Sequence, residues 1–278
     1  MLNELCPSWV ARFSFVWRWI ATGFTFFCFG VSGMTFSLLL VLLMLVWPHS
    51  ASSRRIVTSV VHRYFHCLVT ILRVIGVMRL EVKGKIGRIE RGTLVVANHP
   101  TYLDIMVLLA LIPSACCVVK RAHWRNPCFW GIVRAAGYVS NAGGTSMVEE
   151  CMQRLAAGYS VIVFPEGTRS PSRGALHPFG RGFAHVALAA QAERGFRELP
   201  VAPVALDCDP PVFTKERRWY HVPPRPFRFE VTVLDTVDAA SPVTSELPAA
   251  VAARRLTASV EAQIFQHLFK HGSAQARN

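Results

Sequence analysis

Acidic side chains are scarce in this sequence: 17 Asp and Glu stand against 30 Lys and Arg, leaving a formal charge of +13. That imbalance draws the chain to polyanions, either nucleic acid or an anionic lipid surface. The arginines are not interleaved with aromatics in a compact patch and no recognition motif appears, so no nucleic-acid partner is expected. Charged residues of both signs make up only 17% while apolar ones reach 52%, a balance that calls for a membrane segment. The eight cysteines, at 6, 28, 67, 116, 117, 128, 151 and 208, contain no C-x-x-C pair, and no histidine cluster has zinc-ligand spacing. They read as reduced packing residues of a cytosolic domain, and no metal site is expected. The G-x-S-x-G elbow of serine hydrolases is missing as well. There is no internal repeat, and no low-complexity segment beyond a polar tail at Gly272–Asn278. The 278 residues hold one α/β domain and an accessory segment; two large soluble domains do not fit easily.

A long apolar run is present. Between Trp19 and Trp47 there is no charged residue, and its core runs from Phe36 to Trp47. About 20 apolar residues suffice to cross a bilayer. Arg18 precedes the run, Arg54 and Arg55 follow it, and Trp19 and Trp47 stand where interfacial anchors belong. The run is too long for a signal peptide and lacks a small-residue cleavage motif. Two arrangements fit: a single span, or a re-entrant hairpin broken near Gly30-Val-Ser-Gly33. Basic residues are denser after the run (Arg54, Arg55, Arg63, Arg73, Arg79, Lys83, Lys85) than before it (Arg12, Arg18). The positive-inside bias then places the body in the cytoplasm, at the inner (cytoplasmic) membrane. Residues Ile56 to Met78 are apolar at helical spacing with arginines interspersed, which suits a membrane-surface helix or an amphipathic core helix.

Beyond Arg79, short β-type runs alternate with helical stretches, the pattern of an α/β domain with a mostly parallel or mixed central sheet flanked by helices. Strands are expected at Leu80–Val82, Thr93–Ala97, Cys116–Val119, Val161–Phe164, Val201–Leu206 and Phe227–Leu234. Helices are expected at Tyr102–Leu111, Pro127–Ala136, Ser146–Ala157, Gly182–Arg194 and Glu246–Phe269. The stretch Val222–Pro226 reads as a loop before the last strand. The division is residues 1–78, membrane or interfacial helices, and 79–278, the α/β domain.

Two strand ends carry the chemistry. Leu94-Val-Val-Ala97 leads into Asn98-His99-Pro-Thr-Tyr-Leu-Asp104, and loops after strands are where α/β folds place reactive groups. Thr101 can cap the following helix and Asp104 falls in its first turn. A carboxylate on one imidazole nitrogen fixes the tautomer and leaves the other nitrogen to take a proton from a hydroxyl. The pair alone also suits a capping loop with a bystander histidine, or two metal ligands. Some 60 residues later Val161-Ile-Val-Phe164 delivers Pro165-Glu166-Gly167-Thr168-Arg169-Ser170. Arginine beside Gly and Thr at a strand end suits a phosphate or carboxylate, and equally a structural salt bridge at a turn. Glu166 there must be met by Arg169 or by a ring of backbone donors.

Together, Asn98-His99-x4-Asp104 and Phe164-Pro-Glu-Gly-Thr-Arg-Ser170 resemble the first and third signature blocks of the lysophosphatidic acid acyltransferase (1-acyl-glycerol-3-phosphate acyltransferase) family, over roughly Leu80 to Leu206. The resemblance implies the glycerolipid acyltransferase fold behind an N-terminal membrane helix or helical hairpin. It implies His99 as general base, Asp104 as its orienting partner, and Glu166, Gly167, Thr168 and Arg169 as the acceptor loop, with Arg169 on the acceptor phosphate. Phe179-Gly-Arg181-Gly182 is similar to the basic turn after the third block, and Leu199-Pro-Val-Ala-Pro203-Val to the fourth. The second block departs from the pattern. Lys120 and Gly137-Tyr138-Val139 are recognisable, but the closing arginine is replaced by Asn141 or Ser140, and Arg181, Arg173 or Lys120 is left to compensate.

The implied reaction is direct transfer of a fatty acyl group from acyl-CoA or acyl-ACP to a lipid hydroxyl, with the oxyanion held by backbone amides or Lys120. It uses these thioesters as co-substrates and needs no bound cofactor or metal. The expected partners are a lipid acceptor in the membrane and a CoA thioester or acyl carrier protein. The altered second block keeps a non-glycerophosphate acceptor in view. A reading of another class is a non-catalytic membrane scaffold with a relic site, which the presence of both His99 and Asp104 disfavours.

Overall fold

The computed structural model describes residues 8–46, 50–84, 86, 89–192, 199–215, 222–223, 225–238 and 247–275. Trp47, Lys85, Arg194, Pro224 and Glu246, and the side chain of Arg12, all invoked above, lie outside the described residues. The strands are β1 (Met78–Lys83), β2 (Leu94–Ala97), β3 (Ala115–Val119), β4 (Val139–Ser140), β5 (Ser160–Val163), β6 (Pro200–Asp209), β7 (Phe227–Val233) and β8 (Val237–Asp238). The helices are α1 (Ser8–Val46), α2 (Ala51–Val74), α3 (Asp104–Leu111), α4 (Pro127–Ala135), α5 (Gly144–Ala156), α6 (Gly182–Ala192) and α7 (Ala249–Gln275). The α/β expectation holds. The strands of two residues, β4 and β8, are too short to leave a period-two pattern and were not foreseen. The tail composition at Gly272 conceals the last turn of α7.

One mixed sheet runs in the order β1-β7-β6-β2-β5-β3-β4, with β8 on the start of β6. Strands β6, β2, β5, β3 and β4 are parallel; β7 runs against β6, and β1 follows β7. All four side chains of β2 are buried, as expected for a central parallel strand covered on both faces. Helices α1 to α4 pack among themselves on one side, while α5 packs on α6 and α6 on α7. Because the five strands are parallel, the segments after β2, β5, β3 and β4 emerge along one edge of the sheet.

Helix α2 opens on Ser50, whose hydroxyl accepts from Ser53 N (3.2 Å), and closes at Gly76, which takes φ 74° and turns the chain into β1. Met78, included in the helical pattern above, is therefore the first residue of β1. Val57, Val61, Phe65, Val69 and Leu72 bury one face of α2, each worth roughly 1.5–3 kcal/mol. Arg55, Arg63 and Arg73 remain exposed. One face of this segment is thus packed as in an amphipathic core helix, while Ile56, Val60, Ile71 and Val74 stay exposed on the other.

Helix α1 has no break at Gly30–Gly33, so the hairpin expected there is absent and the chain reverses only after Val46. Contacts on both sides of the glycines hold the helix together: Phe29 against Phe129, Ser32 Oγ on Tyr64 Oη (3.0 Å), and Phe36 stacked on Tyr64 at 4.5 Å. Trp17 Nε1 donates to Ile75 O near the far end of α2 (3.3 Å), so the two helices are antiparallel. Where α1 meets α4, Gly131 N donates to Ser37 Oγ (2.7 Å), and a Cβ on Gly131 would collide with the Ser37 carbonyl. The opposite face of α1 is exposed and apolar from Phe13 to Val46.

Candidate active site

The buried run of β2 carries Asn98 to the edge of the sheet. There the Asn98 amide continues the ladder that its backbone leaves: Nδ2 donates to Leu206 O (2.9 Å) and Oδ1 accepts from Leu206 N (2.7 Å). The next residue is His99. Its Nδ1 lies 2.6 Å from Asp104 Oδ2, and Asp104 is fully buried at the start of α3. Thr101 N donates to the same oxygen (2.8 Å) and Thr101 Oγ1 donates to Oδ1 (2.6 Å). Three donors thus hold one carboxylate, and the imidazole lies stacked on Phe164 at 4.5 Å. Thr101 is not the helix cap expected from sequence: the cap is Leu103, without a side-chain bond. The Thr101 hydroxyl is spent on Asp104, and it accepts from Leu103 N (3.0 Å).

Strand β5, next to β2, delivers the second motif. Gly167 takes φ 63° and bonds back to Phe164 O (3.1 Å), so a tight turn follows Pro165. Glu166 turns inward and is buried. Oε1 accepts from His99 N (2.9 Å) and Ser170 Oγ (2.7 Å), and Oε2 accepts from His177 N (2.8 Å). Ser170 N also donates to His99 O (2.7 Å). Of the two ways to satisfy Glu166, the ring of donors is the one used, and Arg169 takes no part. Its oxygens are occupied by protein donors, and it fixes the backbone of His99.

Arg169 lies over the Tyr102 ring at 3.9 Å and gives Nη1 to Phe213 O (2.8 Å). Among the described residues no carboxylate pairs with it, so its charge stays available beside His99. Thr168 is half-buried on the same loop. Arg173 is unsuited to replace the missing cation. It forks onto Asp207 through Nε and Nη2 (2.8 and 2.7 Å) and reaches Asp209 through Nη1 (2.8 Å). The hydrogen bonds to Asp207 hold its guanidinium above the ordinary arginine range. Lys120, just past β3, and Asn141, just past β4, are exposed and continue the register Val119↔Ser140 side by side. They lie two and three strands from β2. Arg181 is exposed at the start of α6, next to Gly180, whose N–H donates to Pro165 O (2.8 Å). Among the described residues no group of three or more His, Cys, Asp or Glu side chains converges as a metal site.

Residues 71–207, the stretch that contains both motifs, match the family model described as Acyltransferase. This stretch of the chain is similar to the acyltransferase family. Its acyltransferase region is 26% identical over 162 residues to 1-acyl-sn-glycerol-3-phosphate acyltransferase alpha of Mus musculus, covering 56% of this chain and 53% of that protein. It is 30% identical over 105 residues to 1-acyl-sn-glycerol-3-phosphate acyltransferase of Helicobacter pylori, covering 35% and 44%. The chain thus spans about half the length of the curated relatives it matches. The fold of this chain is that of the 1-acyl-sn-glycerophosphate (LPA) acyltransferase PlsC from Thermotoga maritima. The two superpose with a TM-score of 0.63 at 19% identity, over 91% of this chain and 97% of that one.

Four contacts of the site had no signal in the sequence, although Asn98 and Phe164 stand within the two motifs: the Asn98 clamp on Leu206, Phe164 under the imidazole, Tyr102 under Arg169, and the backbone N–H of His177 on Glu166. The contacts of Asn98, Arg169 and His177 join residues 108, 44 and 11 positions apart, so spacing along the chain could not announce them.

Proposed function

We propose that this chain is an O-acyltransferase that moves a fatty acyl group from acyl-CoA or acyl-ACP to the free hydroxyl of a lysophospholipid such as 1-acyl-sn-glycerol-3-phosphate, in phospholipid biosynthesis. The observation that carries the reading is the His99–Asp104 pair. Asp104 accepts at Nδ1, which leaves Nε2 without a protein partner among the described residues and able to act as the base. Nε2 takes the hydroxyl proton as the oxygen attacks the thioester carbon. The carbon–sulfur bond then breaks and the departing thiolate receives that proton. Asp104 holds the ring and stabilises the imidazolium between these steps. Arg169 meets the acceptor phosphate, with Lys120 and Arg181 as further cations along the same edge, and no metal or bound cofactor takes part.

The membrane arrangement follows from α1. A helix of 39 residues is about 58 Å long, against a hydrocarbon core of about 30 Å. Residues from Trp17 to Ser37 are docked on α2 and α4. Phe15–Val46 is also long and apolar enough to cross a membrane, and it anchors the chain in the inner (cytoplasmic) membrane, with its exposed apolar face in the acyl chains and the remainder, from about residue 79, in the cytoplasm.

Asn141 favours a second reading, in which the acceptor has a different head group. It stands beside Lys120, where the family pattern has a second cation. The test is transfer of a labelled acyl group by the membrane-bound chain, beside His99→Ala, to lysophosphatidic acid and to lysolipids without an exposed phosphate. His99-dependent transfer to lysophosphatidic acid supports the first reading, and transfer only to the others supports the second. Transfer unaffected by His99→Ala would remove the base assignment.

A further inference from the structure

The edge of the sheet opposite His99 holds a second cluster of charge. Arg54 and Arg55 stand at the start of α2, and Arg154 in the last turn of α5. Arg154 Nε donates to Gly137 O (2.8 Å). The space beside the Gly137 α-carbon is filled by both arginines: a Cβ there would lie 3.1 Å from Arg54 Nε and 3.2 Å from Arg154 Cζ. Two side chains, those of Arg54 and Arg154, therefore converge on one residue, and Arg55 follows Arg54 on the exposed surface of α2. Among the described residues none of the three has a carboxylate within ion-pairing distance. The first turn of α2 contains no acidic residue, so the positive end of the helix adds to the same field.

A second observation points into this cluster. Tyr159, just before β5, is 4% exposed, and its hydroxyl has no hydrogen-bond partner at bonding distance and angle. Its neighbour Thr58 spends its own proton on Arg54 O (2.8 Å). Burial pushes the Tyr159 phenol up, while Arg54, Arg55 and the Thr58 hydroxyl pull against it. Uncompensated guanidinium groups gathered at one place, with a buried hydroxyl nearby, are relieved by an anion with several acceptor oxygens.

We propose that a phosphate group, carried by an anionic phospholipid, binds between Arg54, Arg55, Arg154 and Tyr159 at the start of α2. The source is lipid because the site adjoins the apolar end of α1. Leu45 and Val46 are exposed there, and Ile56 and Val60 on α2 are exposed beside the arginines. Acyl chains and phosphate thus find complementary surfaces next to one another. The parallel strands put this site at the opposite end from His99, so it anchors a lipid that is not the substrate.

The test is calorimetric titration of the full chain in detergent with dioctanoyl phosphatidic acid, dioctanoyl phosphatidylcholine and inorganic phosphate. The same titrations are made on Arg55→Gln, Tyr159→Phe and Arg169→Gln. Phosphatidic acid is expected to bind; Arg55→Gln weakens it about tenfold and Tyr159→Phe about fivefold, while a site insensitive to Arg169→Gln persists. Tyr159→Phe removes one oxygen and keeps the buried ring, so loss of folding does not mimic its effect. Equal affinity in both α2-site variants, or loss only in Arg169→Gln, overturns the site. Inorganic phosphate binding as tightly as the lipid, or phosphatidylcholine binding equally well, overturns the assignment to an anionic lipid.

Discussion

Glu166→Gln separates two roles for the third motif. The carboxylate is buried and accepts three hydrogen bonds, from His99 N, Ser170 Oγ and His177 N. A glutamine keeps one acceptor oxygen. With that oxygen toward His99 and Ser170, its NH2 group faces the His177 N–H, donor against donor. With the amide reversed, two bonds are lost instead of one. The better arrangement still forfeits a charge-assisted bond worth about 1.5–3 kcal/mol. At about 2–4 °C per kcal/mol for a chain of this size, the melting temperature falls by roughly 3–12 °C. Because Glu166 holds the His99 backbone, a displacement on the order of 1 Å lowers kcat by about ten- to a hundredfold. The acceptor KM stays within about twofold, since no substrate bond is removed. The assay is acyl transfer to lysophosphatidic acid at varied acceptor concentration, beside scanning fluorimetry on the same preparation. A tenfold rise in KM with kcat and melting temperature unchanged would refute the positioning role and return Glu166 to the acceptor.

Asp104→Asn retains the shape of the site but presents an amide to His99; a fall in kcat of about 10³–10⁴-fold is expected, and single-turnover rates within tenfold of the unsubstituted chain would contradict it. Gly131→Ala drives a methyl group into the Ser37 carbonyl and should loosen α1 from α4, read as faster proteolysis within α1 at unchanged far-UV circular dichroism; identical digestion would count against the close packing. Burial pushes the thiols of Cys116, Cys117, Cys151 and Cys208 up, that of Cys151 to about 12. In the unfolded chain these thiols ionise near 9, so above that pH the unfolded state holds fewer protons than the folded one. Stability is then full below pH 9 and lost as pH rises towards 12, at roughly 1.4 kcal/mol per pH unit per thiol; a melting temperature that is flat from pH 7 to 11 would exclude this.

Much of the fold was legible because its signals are local. The β-branched runs at Leu94–Ala97 and Val161–Phe164 are short, apolar on both faces and bounded by turn residues, which is how buried parallel strands read. The strand ends at Ala97, Val119 and Phe227 fall where expected and the others differ by one to three residues, and Phe164 leaves β5 to lie under the imidazole. Helix α1 was legible as an apolar run but not as a docked helix. What covers one face of such a run is set by tertiary packing, and Tyr64, Phe129 and Gly131 supply that cover from distant parts of the chain. Glycines at 30 and 33 suggested a break because isolated helices are weakened there. Packing on both sides overrides that preference.

The candidate site divides in the same way. His99 and Asp104 lie close in sequence, so a strand end and a helix start suffice to bring them together, and their relation was written in the residues themselves. The cations around them were not. Arg173, an apparent substitute for the missing arginine, is held by Asp207 and Asp209; Arg169 stays available because Tyr102 and Phe213 carry it without neutralising it. By itself the sequence determined which residues stand at strand ends, and with them the identity of the histidine–carboxylate pair. Only the tertiary structure decided that Glu166 faces the His99 backbone, that Asn141 stands beside Lys120, and that Arg54 meets Arg154. Those arrangements depend on strand order, and a sheet that inserts β5 between β2 and β3 sets neighbours by hydrogen-bonded register, not by distance along the chain.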